Sequence, residues 1–141
     1  MSATWDSYID NLIAQSKDQS GQTHVDKACI IGLDGGAKWT TDQHPCALKL
    51  HPNEAKRIAI CFKKRDFTPF IEGGVCVEQD YCIFLREIDS KVVYAKGPRG
   101  GVALQASKAA IVVARTAEGR QQGNANKAVG VIADYLESMN L

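Results

Sequence analysis

Three histidines, five cysteines and two glycine-rich turns are the residues whose types could support catalysis or metal or phosphate binding. His24, His44 and His51 lie in loop-like sequence beside Thr, Gln or Pro, and no nucleophile is spaced to work with them. Residues 34–36 (Asp-Gly-Gly) and 97–101 (Gly-Pro-Arg-Gly-Gly) match neither GxGxxG nor the phosphate loop that ends in GK[ST]. The motifs GxSxG and HExxH do not occur. We therefore expect no enzymatic activity, no metal and no cofactor.

The cysteines are odd in number and have no CxxC spacing; they are Cys29, Cys46, Cys61, Cys76 and Cys82. In a cytosolic chain this pattern favours free thiols over a disulfide framework or a zinc site. Cys76 and Cys82 flank a predicted hairpin turn that could bring them close to each other, but we interpret them as ordinary strand residues.

The beginning of the chain has an unusual aromatic pattern. Apolar residues recur there at helical spacing, at Trp5, Tyr8, Ile9, Leu12 and Ile13. They predict an amphipathic helix whose first turns carry two large rings that are hard to bury completely, so we expect Trp5 and Tyr8 to be partly exposed. Exposed Trp and Tyr rings suit a polyproline II ligand, because the rings hold prolines while the N–H and O–H groups reach free carbonyls. The alternative interpretation is that these rings belong to the core.

Composition limits the class of protein. The chain has 141 residues, 45% hydrophobic and 23% charged, with a formal net charge of +1, which excludes a strongly basic nucleic-acid binder. We expect one domain, residues 1–141. The apolar run 109–114 is far too short to span a membrane, and acidic residues replace the basic start of a secretory signal, so we expect a cytoplasmic protein. Scattered cations indicate either a solvated face or a surface for an acidic protein or anionic lipid.

In the first half, the pattern predicts a loop from Gln15 to Asp26 and a β-hairpin with arms at 28–32 and 37–41, whose second arm carries Trp39. Pro52 suits the start of a second helix, in which Ala55, Ile58, Ala59 and Phe62 repeat at helical spacing.

The second half is rich in short β-type runs. Strands are predicted at 75–77, 81–88, 92–95, 102–105 and 110–114. The links between them are too short for crossover helices, so successive strands should pair antiparallel as a meander. A last helix follows, capped by Asn124 or Asn126. The predicted fold class is α+β: a central antiparallel β-sheet (meander plus hairpin), with N- and C-terminal helices packed on one face and a middle helix on the other.

These features together resemble the profilin family of actin-monomer-binding proteins. The resemblance covers essentially the whole chain and is carried by Trp5-x-x-Tyr8-Ile9-Asp10-Asn11-Leu12, Lys27-Ala28 before the hairpin with Trp39, Phe84-Leu85-Arg86, the turn at 97–101, and Asn126-Lys127 before Ala133-Asp134-Tyr135-Leu136. It implies binding to monomeric actin, proline-rich proteins and phosphatidylinositol bisphosphate, a cytoskeletal place at the cell cortex, and a monomeric state.

The resemblance also implies site residues. The family's polyproline site falls on Trp5, Tyr8, Trp39, Tyr135 and Leu136, with a polar contact from Asn11 and with Leu141 where many profilins end in an aromatic residue. Its actin face falls on Glu72, Arg86, Lys96, Arg99, Gly123, Asn126 and Lys127.

Two other classes fit a similar arrangement of elements. A sensor module would hold a small ligand in a buried cavity between sheet and helix. A lipid-surface protein would need one dense cationic face.

Overall fold

The computed structural model describes residues 4–141, and six of its strands form one antiparallel sheet in the order β1-β6-β5-β4-β3-β2. The strands are β1 Val25–Gly32, β2 Val75–Val77, β3 Asp80–Ile88, β4 Val92–Gly97, β5 Gly100–Ala106 and β6 Ala110–Thr116. The helices are α1 Ser7–Gln15, α2 Pro52–Lys64, α3 Thr68–Gly73 and α4 Gln122–Ser138, and a 3₁₀ turn, Thr4–Asp6, precedes α1. The sheet and helices confirm the predicted α+β class.

The sheet separates two apolar cores. On one face, α1 and α4 pack over β1, β6 and β5, with Ile9, Leu12 and Leu136 in the core. On the other face, Ile58 and Phe62 of α2 and Phe70 of α3 meet inward side chains of the sheet. Neighbouring residues of β6 alternate between the two cores, because successive side chains of a strand point to opposite faces. This double burial explains why 109–114 is an unbroken apolar run.

The predicted hairpin is wrong in its second arm. Residues 37–41 form no strand: an isolated bridge, Ile31 to Lys38, and a few backbone hydrogen bonds join them to β1, whose other edge pairs with β6 along its length. The backbone N–H groups of Trp39 and Thr40 both donate to Ile30 O, and Thr40 Oγ1 accepts from Ile30 N at 3.1 Å. The side-chain bond takes the place of a ladder bond, and the chain then turns away toward α1.

Three further expectations need correction. The structure adds α3, whose six residues are too few to show a helical period. Helix α4 begins at Gln122 after Gln121, so neither Asn124 nor Asn126 is its cap. The loop after α1 is shorter than predicted, and its ends are buried at Ser16 and His24.

A bond network explains the buried loop ends. Ser16 Oγ accepts the N–H groups of His24 and Val25, each at 3.1 Å. His24 Nδ1 accepts the N–H of Gln121 at 2.9 Å, so its Nε2–H donates to Asp18. Hydrogen bonds from Ser20, His24 and the backbone of Gln22 hold the pKa of Asp18 well below its usual range. Within residues 4–141 no helix is long and apolar enough to cross a membrane.

Candidate functional site

Four aromatic rings form a continuous row, which we call the aromatic shelf: Trp39, Trp5, Tyr8 and Tyr135. Ring centres are 4.8 Å apart for Trp39 and Trp5, 5.1 Å for Trp5 and Tyr8, and 6.2 Å for Tyr8 and Tyr135. The planes within each pair are tilted by 37° to 46°. Trp5 and Trp39 are 34 positions apart in sequence and Tyr8 and Tyr135 are 127 positions apart, so the fold brings together rings from distant parts of the chain.

One side of the shelf packs against the apolar core, and the other side is exposed to solvent. Trp5, Tyr8 and Trp39 are half-buried and pack against the core that contains Ile9 and Leu12. Tyr135 is 53% exposed. The expectation that Trp5 and Tyr8 are partly exposed is confirmed, and the alternative that all the rings belong to the core is wrong. Burial, and next the charge of Tyr135, raise the pKa of Tyr8, so its phenol stays a hydrogen-bond donor at neutral pH.

The other predicted polyproline residues are placed differently. Leu136 has no exposed surface, so it supports the shelf from the core and cannot touch a ligand, which corrects its predicted contact. Its helical neighbour Tyr135 points outward, because consecutive helical residues differ by about 100°. Asn11 is exposed on α1, three residues after Tyr8. Leu141 is partly buried against the same core, and its carbonyl accepts from Ala109 N and from Ser107 Oγ.

A second candidate surface lies where β3 and β4 meet the start of α4. A groove of about 240 Å³ is lined there by Leu85, Arg86, Tyr94, Gln122 and Asn126. The guanidinium carbon of Arg86 lies 5.7 Å from the centre of the Tyr94 ring. The buried Oδ1 of Asn126 has no hydrogen-bond partner among the described residues. The structure thus brings Arg86 and Asn126 together, as predicted.

The remaining predicted actin residues differ in their exposure, charge pairing and position. Lys96, Gly123 and Lys127 are exposed on β4 and α4. Arg99 donates to Asp80 at 2.6 Å and lies 3.8 Å from Glu78 Oε1, so its charge is already compensated. Glu72 belongs to α3 and lines a separate groove of about 280 Å³.

An exposed apolar stripe on β3 was not predicted from the sequence. Tyr81, Ile83 and Leu85 lie at alternate positions and are 71%, 70% and 51% exposed. Ile71 of α3 is 64% exposed and lines the same groove as Tyr81 and Ile83. The signal was in the sequence, because residues 81–85 are apolar at every position, which indicates a strand to be covered on both faces. Only one face is covered within residues 4–141.

The remaining reactive side chains have structural roles. His51 caps α2 by accepting from Asn53 N, while Glu54 accepts from His51 N. All five cysteines are free, as predicted. Burial raises the pKa of Cys82 to about 11. The pKa of Cys76 is also raised to about 11, by burial and by the hydrogen bond that the Cys76 thiol donates to Glu54. Both thiols are therefore protonated and weakly nucleophilic at neutral pH. Among residues 4–141 no group of three His, Cys, Asp or Glu residues is placed to hold a metal ion.

Comparison with known proteins places this arrangement in a family. The family model described as Profilin matches residues 3–141. A profilin of Suberites domuncula is 61% identical over 139 residues, covering 98% of this chain and 99% of the relative. The chain belongs to the profilin family. Profilins are non-enzymatic actin-binding proteins, which confirms the expectation that the chain is not an enzyme.

Solved profilin structures share the fold. Acanthamoeba castellanii profilin IB is 26% identical with a TM-score of 0.78, over 98% of this chain and all of that one. Mouse profilin IIa, in complex with a double repeat from the FH1 domain of mDia1, is 22% identical with a TM-score of 0.69, over 98% of this chain and 99% of that one. The antiparallel sheet between two helical layers is therefore the profilin architecture.

Proposed function

We propose that this profilin binds monomeric actin through its strand face and holds proline-rich segments of other proteins on its aromatic shelf. The strand face is the exposed surface of β3, β4 and the start of α4, with the neighbouring Ile71 of α3. It thereby regulates actin polymerisation at the cytoskeleton and the cell cortex. The observation that carries the proposal is the shelf itself, a row of four rings on a rigid support with one side open to solvent.

The shelf suits a polyproline II helix on physical grounds. Such a helix has three residues per turn and leaves its carbonyls free, so a ligand presents ridges of proline and outward acceptors. Tilted rings about 5 Å apart provide walls for those ridges. The indole N–H groups and the phenol of Tyr8 provide donors for the carbonyls. The FH1 repeat bound to mouse profilin IIa is a peptide ligand of a protein with this fold.

The strand face suits a folded protein partner. Its stripe of Tyr81, Ile83 and Leu85 offers apolar surface, and Arg86, Lys96 and Lys127 surround it with positive charge. A buried apolar patch with a charged rim is the usual anatomy of a protein interface. Membership of an actin-binding family supports actin as the partner of this face.

The two surfaces are far enough apart to work together. Asn126 and Tyr135 are nine residues apart on α4, which corresponds to about 13 Å along the helix axis. We expect an interface of about 800 Å² on each partner to fit the strand face without covering the shelf. One helix therefore contributes to both sites, and the two ligands bind at the same time.

Reciprocal substitutions test the assignment of the two surfaces. Tyr8→Ala should weaken binding of a proline decamer about tenfold and leave actin binding unchanged, because it removes one shelf ring. Tyr81→Ala and Arg86→Glu should each weaken actin binding about tenfold and leave decamer binding unchanged. Calorimetric titration of each variant with each ligand gives both affinities.

Lys56→Glu is the matched control for charge reversal, since Lys56 is exposed on α2, outside both surfaces. It should bind both ligands as the wild type does. Loss of both activities in folded Tyr8→Ala, or in folded Tyr81→Ala, would contradict two separate surfaces.

The proposed function includes weak, salt-sensitive binding to phosphatidylinositol bisphosphate. The cations are dispersed, and several are already paired, Lys38 with Asp42, Lys91 with Glu137 and Arg99 with Asp80. Exposed cations such as Lys63 and Lys64, at the end of α2, then attract an anionic surface by about 1 kcal/mol each.

Cosedimentation with vesicles that contain the lipid should show binding that falls as salt is raised from low to physiological ionic strength. Neutral vesicles serve as the control. Binding that is indifferent to salt would contradict an electrostatic mode.

A further inference from the structure

We infer that Asp6 is a positioning residue for the aromatic shelf, because its carboxylate holds the segment that carries Trp39 against the start of α1. The inference rests on the proposed function of the shelf, since positioning Trp39 matters only if the ring row binds a ligand. Nothing in the helical pattern of the first residues assigns Asp6 this task.

The carboxylate of Asp6 makes two bonds across 35 positions of sequence. Oδ1 accepts the backbone N–H of Thr41 at 2.7 Å, and Oδ2 accepts the hydroxyl of the same residue at 2.6 Å. Both bonds are partly buried, and bonds to a charged acceptor are stronger than those between neutral groups.

Asp6 occupies a helix-capping position without capping the helix. It stands immediately before Ser7, the first residue of α1, where an aspartate commonly accepts an N–H of the first turn. Its side chain makes no such capping bond. The backbone of Asp6 has helical angles, as the last residue of the 3₁₀ turn, so its carboxylate is not used in the first turn of α1 and bonds Thr41 instead.

The bonds stand directly beside the ring pair. Asp6 follows Trp5, Thr41 lies two residues after Trp39, and the two indoles are 4.8 Å apart. Trp39 and Thr40 are tied to β1 through Ile30, and the chain rejoins β1 at Ala47. Between these points, Asp6 holds Thr41 and Asp10 accepts from His44 at 2.8 Å. Asp6 ends the 3₁₀ turn that leads into α1 and Asp10 lies on α1, so this helical stretch fixes the segment and with it one wall of the shelf.

The tautomer of His44 supports this arrangement. His44 Nδ1 accepts the N–H of Cys46 at 2.9 Å, so Nε2 carries the proton that is donated to Asp10. Two carboxylates about one turn apart, Asp6 at the end of the 3₁₀ turn and Asp10 on α1, therefore hold the same segment. Of the two carboxylates, Asp6 acts closer to Trp39, because it bonds Thr41 whereas Asp10 bonds His44.

The test combines a spectroscopic signal of the indole pair with ligand affinity. Two indoles this close and tilted by 44° couple excitonically, which gives a paired far-ultraviolet circular dichroism signal. Asp6→Ala should reduce that signal and weaken binding of a proline decamer about tenfold, with actin affinity unchanged. Asp6→Asn, which keeps an acceptor for the N–H and a group able to bond the hydroxyl, should restore most of both.

Two further variants make the test specific. Asp42→Ala removes an exposed carboxylate of the same segment that binds Lys38, and it should change neither readout. Thr41→Val should act in the same direction as Asp6→Ala in the wild type and add nothing to it in the double variant. If Asp6→Ala does not fold, the Thr41→Val result decides.

An unchanged dichroism signal and affinity in folded Asp6→Ala would overturn the inference, as would equal effects of Asp42→Ala. A wild type that does not bind the decamer would refute the proposed function. In that case a loss of the dichroism signal in Asp6→Ala would still show that Asp6 positions Trp39.

Discussion

Trp5→Ala should weaken binding of a proline decamer about thirtyfold or more, since a central interface aromatic contributes about 2 kcal/mol or more. Trp5 is one of the two inner rings of the shelf, and its ring centre lies 4.8 Å from that of Trp39 and 5.1 Å from that of Tyr8. Its truncation removes one binding wall and leaves both neighbours without their packing partner. Calorimetry is the suitable measurement, because the substitution also removes an intrinsic fluorophore.

Two controls separate loss of the shelf from loss of the fold. Trp5→Phe keeps an aromatic wall and should retain part of the affinity. Ile71→Ala removes an exposed apolar side chain from the other surface and should leave decamer binding unchanged. Wild-type affinity in a folded Trp5→Ala protein would show that the shelf is not the proline site.

Arg115→Ala should lower the free energy of unfolding by about 3 kcal/mol, because removing one partner of a buried ion pair leaves the other charge uncompensated. Arg115 is buried on β6 and binds both oxygens of Asp26, at 3.2 Å and 2.9 Å. It also donates to Glu78 at 3.3 Å. Since the Asp26 side chain is 38% exposed, water compensates part of the loss. Urea unfolding, followed by circular dichroism, measures the change.

Arg99→Ala is the matched control within the same group of charges. The Arg99 side chain is 52% exposed, so its removal should cost less than about 1 kcal/mol, as for an exposed pair. Equal unfolding midpoints for the two variants would show that Arg115 does not stabilise this part of the sheet.

Local patterns were sufficient for most of the fold. The stripe from Trp5 to Ile13 predicted α1, and the short links of the second half required antiparallel neighbours, which β3 to β6 confirm. The apolar period of the last helix predicted an inner side that includes Leu136, Tyr135 and Met139, and the structure buries Leu136 but leaves the other two exposed. Because Leu136 is buried, it cannot make the ligand contact that the family resemblance implied for it.

The remaining features depend on contacts between distant parts of the chain. The second hairpin arm was wrong because Asp6 and Thr40 capture the chain after Lys38, and no pattern within 28–41 shows those bonds. Burial of His24 depends on Gln121, 97 residues away. The row of rings joins helices from both ends of the chain, so spacing alone left open whether its members are core or surface.

The most direct test of two separate surfaces on one chain is the affinity of a fluorescently labelled proline decamer for the wild type, measured by anisotropy without and with saturating monomeric actin. Independent sites have a coupling free energy near zero, so the two dissociation constants should agree within about twofold. The final anisotropy should be higher with actin, because the decamer then tumbles with a larger complex. Displacement of the decamer by actin, or no saturable binding in either condition, would contradict the account.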